Sequence, residues 1–179
     1  MKIIRIDRNN QVNGVGLRDV IWCAGCTHAC KGCHNPEAQN PEIGKEVSTW
    51  AYDILREDLS REEISGVTFS GGEATYPSNR DEATKMMKWI KDLFPKKTIW
   101  VYTGYLYEEI KDLPMMQYID VLVDGRYMES LNPGPNKIKW RGSSNQRVID
   151  MKKTRKTGVV AWLKDFNGKP INENEQNEK

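Results

Sequence analysis

The chain has 179 residues, enough for one domain with a real hydrophobic core, and 38% apolar with 29% charged residues describes a globular protein. Twenty-seven basic against 25 acidic residues leave a net charge of +2, which gives no electrostatic footprint for nucleic acid. No apolar run approaches the ~18 residues of a membrane span, and the basic run Lys152, Lys153, Arg155 and Lys156 reads as a solvated face.

Taken in chain order, Met1 to Asn10 carries charge at Lys2, Arg5, Asp7 and Arg8 around a short apolar run. It predicts a strand near Lys2–Ile6 and lacks the long apolar centre of a secretory signal, so a cytoplasmic location is expected. Runs rich in β-branched and aromatic residues predict further strands over Asp19–Trp22, Gly66–Ser70, Thr98–Thr103 and Ile119–Asp124. Helical patterns lie between them. Trp50–Leu59 carries a stripe of Trp50, Ala51, Ile54 and Leu55. Ser78 and Asp81 have capping-box spacing, ahead of a face made by Ala83, Met86, Met87, Ile90, Leu93 and Phe94. A third helix is expected over Tyr107–Met116, interrupted or ended near Pro114. Ser143-Ser144-Asn145 reads as a helix start. After about Met151 the pattern turns polar, with one further strand expected over Gly158–Leu163 and a disordered tail over Asn167–Lys179. The expected division is a catalytic domain over 1–150 and a polar extension over 151–179.

Strand–helix–strand alternation of this length argues for an α/β fold with a mostly parallel sheet. In such sheets, functional residues gather beyond the carboxyl ends of the strands. Asp19–Trp22 runs into a cysteine loop, and the next strand into Ser70-Gly71-Gly72-Glu73. The following two end at Thr103-Gly104-Tyr105 and at Asp124-Gly125. Four strand ends on one rim predict a single site. Thr103 and Asp124 would either face that site or cap the turns that follow. Gly71 and Gly72 would let a ligand approach the main chain closely, or simply form a strand-to-helix turn.

All four cysteines fall between positions 23 and 33, too close together to staple distant segments as disulfides. They read as metal ligands. Cys26, Cys30 and Cys33 have the spacing C-x3-C-x2-C, and three thiolates can hold three irons of a cubane while leaving the fourth open. Two other arrangements stay open on spacing alone. All four cysteines could close a cluster as in an electron carrier, or bind zinc, although the three residues between Cys26 and Cys30 suit zinc poorly. Cys23 ends the apolar run Val20-Ile21-Trp22 and also reads as a buried free thiol. Two histidines exclude a histidine-rich metal site; His28 reads as solvent-exposed, and His34 offers a flat ring beside Cys33.

C-x3-C-x2-C followed by His34 and Asn35 resembles the signature of the radical S-adenosylmethionine (SAM) superfamily. Further motifs resemble the activating enzymes of anaerobic (class III) ribonucleoside-triphosphate reductases. These are Asn13-Gly14-Val15-Gly16-Leu17-Arg18, Gly71-Gly72-Glu73, Trp100-Val101-Tyr102-Thr103-Gly104-Tyr105, Val121-Leu122-Val123-Asp124-Gly125-Arg126 and Trp140-Arg141-Gly142-Ser143-Ser144-Asn145-Gln146. The likeness spans roughly residues 10 to 147. Ala74 stands where the family often has Pro, His34 where Tyr is common, and Cys23 and the stretch beyond about Met151 fall outside the pattern.

The resemblance implies an incomplete (βα) barrel of the radical SAM type. It implies a [4Fe–4S] cluster on Cys26, Cys30 and Cys33, with SAM contacts from Gly32, Cys33, His34, Gly71, Gly72, Glu73 and Thr103. The implied reaction is reductive cleavage of SAM to methionine and a 5′-deoxyadenosyl radical, which takes hydrogen from a glycine of the large reductase subunit. Flavodoxin or ferredoxin is the implied electron donor. No acid–base pair or nucleophilic triad is evident, and cofactor-borne chemistry needs none. Other readings are a different radical SAM enzyme, acting on another glycyl-radical enzyme or a small molecule, and a four-cysteine electron carrier. The Trp140–Gln146 segment favours the reductase activase.

Overall fold

The computed structural model describes residues 1–134, 137–165 and 168–171. Among these, seven strands form one sheet: β1 (Lys2–Asn10), β2 (Leu17–Cys23), β3 (Lys45–Glu46), β4 (Ile64–Gly71), β5 (Thr98–Tyr102), β6 (Val121–Asp124) and β7 (Arg147–Asp150). Their order is β3-β1-β2-β4-β5-β6-β7. The central strands β2, β4, β5 and β6 run parallel, whereas β1, β3 and β7 pair antiparallel at the margins. The chain is α/β, as expected, with a sheet parallel at its centre and mixed at its edges.

Both faces of the parallel strands are covered, which is why their sequences read as near-continuous apolar runs. On one face Ile21, Val67, Phe69, Ile99, Val101 and Leu122 share a core with α1 (Thr49–Leu59) and α2 (Arg80–Leu93). The helices contribute Ala51, Leu55, Leu59, Ala83, Met86, Met87 and Ile90, and each buried Leu, Met or Ile stabilises the fold by about 1.5–3 kcal/mol. Leu93 departs from the expected stripe: it ends α2 and is 52% exposed, while Phe94 turns back against Trp89. The other face carries Trp100, Val121, Val123 and Val148 with Tyr102 and Trp140 packed on them.

Arg18, on that second face, is 1% exposed and spends all its guanidinium donors on neutral acceptors. Nε donates to Thr68 Oγ1, Nη1 to the Val15 carbonyl and Thr98 Oγ1, and Nη2 to the Val67 and Thr98 carbonyls, all within 3.0 Å. Burial lowers its pKa to about 10. One side chain thus ties β2, β4 and β5 together at the end of the sheet opposite the cysteine loop.

Asp19 alternates to the helix face and is fully buried beside Asp58 of α1. Its Oδ1 accepts the Asn9 backbone N–H at 3.2 Å, while Oδ2 has no hydrogen-bond partner among the described residues. Asp58 is held below the usual carboxylate range by Arg8, whose guanidinium grips both its oxygens, and by Arg61. Burial, reinforced by the Asp58 charge, pushes Asp19 up to about 7. Burial beside the Asp58 charge therefore favours the protonated form of Asp19. Because the folded value lies above the unfolded one, this contribution is complete below about pH 4 and is lost as pH rises through about 7. Asp19→Asn keeps the acceptor for Asn9 and stays neutral beside Asp58 at every pH. It is expected to be more stable than the natural chain at pH 8 by on the order of 1–3 kcal/mol and indistinguishable near pH 4, in urea melts at both values.

Several local expectations give way to tertiary packing. Ser78 does not cap α2; the cap position is Asn79, whose amide is drawn away to the Ala24 and Glu73 carbonyls. The helix over Tyr107–Met116 is interrupted ahead of Pro114, as expected, into α3 (Tyr107–Ile110) and a 3₁₀ turn over Pro114–Gln117, because Pro114 brings no N–H. Ser143-Ser144-Asn145 forms a turn into β7, which the sequence reading missed, and not a helix. Gly158–Leu163 makes only an isolated bridge, Trp162 to Ile149. The polar stretch after Asp150 opens with α4 (Met151–Thr157), capped by Asp150 accepting the Lys153 N–H and ended by Gly158 in the left-handed region. Met151 and Thr154 are buried, and Arg155 donates to the Met116 and Ile119 carbonyls at 2.8 Å. Of the expected disordered tail, Ile171 donates its N–H to the Leu163 carbonyl; residues 167 and 172–179 lie outside the described residues. Among the described residues no helix is long and apolar enough to cross a membrane.

Candidate active site

The carboxyl ends of β2, β4, β5 and β6 meet at one cleft, lined by Cys26, Cys30, Cys33 and His34 from the first loop. Ser70, Gly71, Gly72 and Glu73 line it from the second, Tyr102, Thr103 and Gly104 from the third, and Gly125 from the fourth. Cys26, Cys30 and Cys33 are free, part-exposed thiols, and among the described residues no three His, Cys, Asp or Glu side chains converge on a single-ion site. Burial pushes the Cys26 thiol up to about 11, so metal binding has to drive its deprotonation. Cys23 is sealed out. It is wholly buried with its sulfur 3.8 Å from Met1 Sδ, and burial pushes its thiol up to about 12.

Backbone hydrogen bonds fix the start of the cysteine loop: Gly25 N–H to Ala38, Cys26 N–H to Gln39 and Gly72 N–H to Cys23. Gly71, at φ 96°, brings its main chain against Cys23, where an added Cβ would stand 2.7 Å from the Cys23 nitrogen. At Gly72 an added Cβ would meet three backbone oxygens, of Ala38 at 2.6 Å, Gly25 at 2.7 Å and Cys23 at 3.0 Å.

Glu73 is 1% exposed, and both carboxylate oxygens are engaged. Oε1 accepts from Thr75 N–H and Oγ1; Oε2 accepts from Gly104 N–H at 2.8 Å and Thr103 Oγ1 at 3.0 Å, with His28 Nε2 at 3.1 Å. Glu73 and Thr103 thus lock two strand ends to each other. Asp124 is buried and bidentate with Arg147, and it accepts the Tyr107 N–H at the start of α3, so it fills the capping role. His34 is exposed at the rim with its ring 5.6 Å from that of Tyr127. Gly32 stands outside the cleft lining, in a left-handed turn at φ 72° facing Glu129.

Two residues were not foreseen. His28, expected in solvent, is folded inward with its side chain 8% exposed. Gln146 accepts the Gly142 and Ser143 N–H groups and donates to the Gly125 carbonyl, which ties the Trp140–Gln146 segment to the end of β6. Only the place of His28 between two cysteines hinted at its role.

A thiol-lined cleft at the strand ends of this sheet belongs with single-cluster iron–sulfur proteins, and residues 12–149 match the family described as the 4Fe-4S single cluster domain. An anaerobic ribonucleoside-triphosphate reductase-activating protein of Enterobacteria phage T4 is 43% identical over 137 residues, covering 76% of this chain and 86% of its own. Proteins of the same name from Vibrio cholerae and Escherichia coli are each 36% identical, covering 76% of this chain and 90% of their own. The chain belongs to the family of anaerobic ribonucleoside-triphosphate reductase-activating proteins.

Proposed function

We infer that this protein activates an anaerobic ribonucleoside-triphosphate reductase, holding a [4Fe–4S] cluster on Cys26, Cys30 and Cys33 with SAM beside it. The observation that carries this is the division of the cysteines: three thiols line the cleft and the fourth, Cys23, is buried away from it. Three soft thiolates suit an iron–sulfur cluster and leave one iron for a cofactor, where a four-thiolate set would close the site. Burial of Cys23 weighs against the four-cysteine carrier.

The surrounding residues fit a SAM molecule at that iron. The Gly71-Gly72 turn lines the cleft with no side chain over it, which lets a ligand approach the main chain closely. Cys33 and the exposed ring of His34 flank the adenine side, while Thr103 and Glu73 hold the rim in register. Gly32 supplies the turn that carries Cys33. The chemistry supplied by the bound cluster and SAM is one-electron cleavage of the sulfonium, which furnishes the radical that takes hydrogen from a reductase glycine.

The parallel centre with its strand ends on one cleft supports an incomplete (βα) barrel of the radical SAM type, open enough to admit a glycine-bearing loop of a protein substrate. Flavodoxin or ferredoxin is the donor this reading calls for, in the cytoplasm. Anaerobic reconstitution with iron, sulfide, reductant, SAM and the candidate reductase should give a glycyl-type EPR signal that requires every component. Methionine without that signal would remove the reductase as substrate. A metal centre with four thiolates and no response to SAM would end the reading altogether.

A further inference from the structure

His28 lies between two of the three cleft thiols, and three distant segments meet on its ring. Its Nε2 is 3.1 Å from Glu73 Oε2, and its Nδ1 is 3.3 Å from Arg126 Nε. Tyr105 meets the ring edge-on, with centroids 4.5 Å apart and planes at 71°. The ring rests over Gly104, where a Cβ would stand 2.3 Å from Cδ2. The Thr103-Gly104-Tyr105 motif therefore forms a seat: Gly104 leaves the space, Tyr105 walls it, and Thr103 shares the Glu73 oxygen that His28 reaches.

A guanidinium nitrogen only donates, so Arg126 assigns the lone pair to Nδ1 and the ring proton to Nε2. His28 is then the donor and Glu73 the acceptor. The contact matters because of what the rest of the loop lacks. Among the described residues, no backbone group of residues 27–32 bonds to another element, and the ion pair Lys31–Glu129 is exposed.

We propose that His28 is a positioning residue: its Nε2–H docks the cysteine loop on Glu73 and so fixes Cys26 and Cys30 relative to the Gly71-Gly72 turn. The proposal rests on the cluster-and-SAM reading of the cleft. A shift of the loop would move the thiols while leaving all three in place, so it should alter the cluster's surroundings without removing a ligand.

Side-chain amides separate the two nitrogens of the ring. His28→Gln keeps an N–H near the reach of Nε2, His28→Asn keeps only an acceptor near Nδ1 for Arg126, and His28→Ala keeps neither. In reconstituted holoenzyme, the EPR signal of the reduced cluster is titrated with SAM. Ala and Asn are expected to bind SAM on the order of tenfold more weakly with an altered line shape, and Gln to stay within about threefold of the natural chain. In metal-free protein, exchange of the Cys26 and Cys33 amides, which bond to the Gln39 and Cys30 carbonyls, should quicken in Asn but not in Gln. Gln as impaired as Ala, or Ala indistinguishable from the natural chain, would overturn the proposal. If Ala does not fold, Gln against Asn decides. A natural-chain signal indifferent to SAM would defeat the functional reading alone, and the exchange comparison would still settle whether Nε2 docks the loop.

Discussion

On the proposed ligand set, Cys26→Ala, Cys30→Ala and Cys33→Ala are each expected to lose the cluster and all SAM cleavage, whereas Cys23→Ala is expected to retain both. The three cleft thiols share one loop, and removal of one would leave two ligands for the three irons of the proposed cluster. Cys23 packs as a small apolar group among Ile3, Ile21 and Phe69, so its loss trims the core at a cost of about 1 kcal/mol and touches no ligand. Iron and sulfide content after anaerobic reconstitution, with methionine release on adding SAM and dithionite, reads both effects. Loss of iron in Cys23→Ala would show that the buried thiol is a ligand after all.

Gly72→Ala is expected to damage both the fold and the cleft. The methyl would overlap the Ala38 and Gly25 oxygens, both main-chain atoms that no rotamer change can move aside. Relief requires shifting the 3₁₀ turn over Pro36–Gln39 or the segment that leads into Cys26. Overpacking of this kind costs about 1–3 kcal/mol, and a domain of this size loses roughly 2–4 °C of Tm per kcal/mol. SAM affinity should fall at least on the order of tenfold, because the cleft-lining turn and the segment that leads into Cys26 would be pushed apart. Thermal melts with EPR-monitored SAM titration test this; unchanged melting and affinity would show that the turn has slack.

The central strands were legible because strands covered on both faces must be apolar throughout, and the cysteine loop because ligand spacing is a local property. Features decided by distant partners were not. Arg147–Asp150 holds two apolar residues between charges and becomes β7 by pairing with β6, where Asp124 receives Arg147 and Val148 and Ile149 are buried. Met151–Thr157 has a one-turn apolar face, Met151 and Thr154, too small to register against four basic residues. Ser78 had capping spacing, but the register of α2 follows from Asn79 bonding to Ala24 and Glu73. His28 was misread for the same reason: its partners lie 45 and 98 residues away, at Glu73 and Arg126.

The short helix after β7 has a practical consequence for anyone trimming this chain. Its Met151 N–H closes on the Asp120 carbonyl, and its Arg155 satisfies the two carbonyls that precede β6. Cutting where composition turns polar would strip those bonds and uncover the sheet's last pair of strands. A shortened version for crystal growth or fusion has to run on to Ile171, whose carbonyl still receives Arg141.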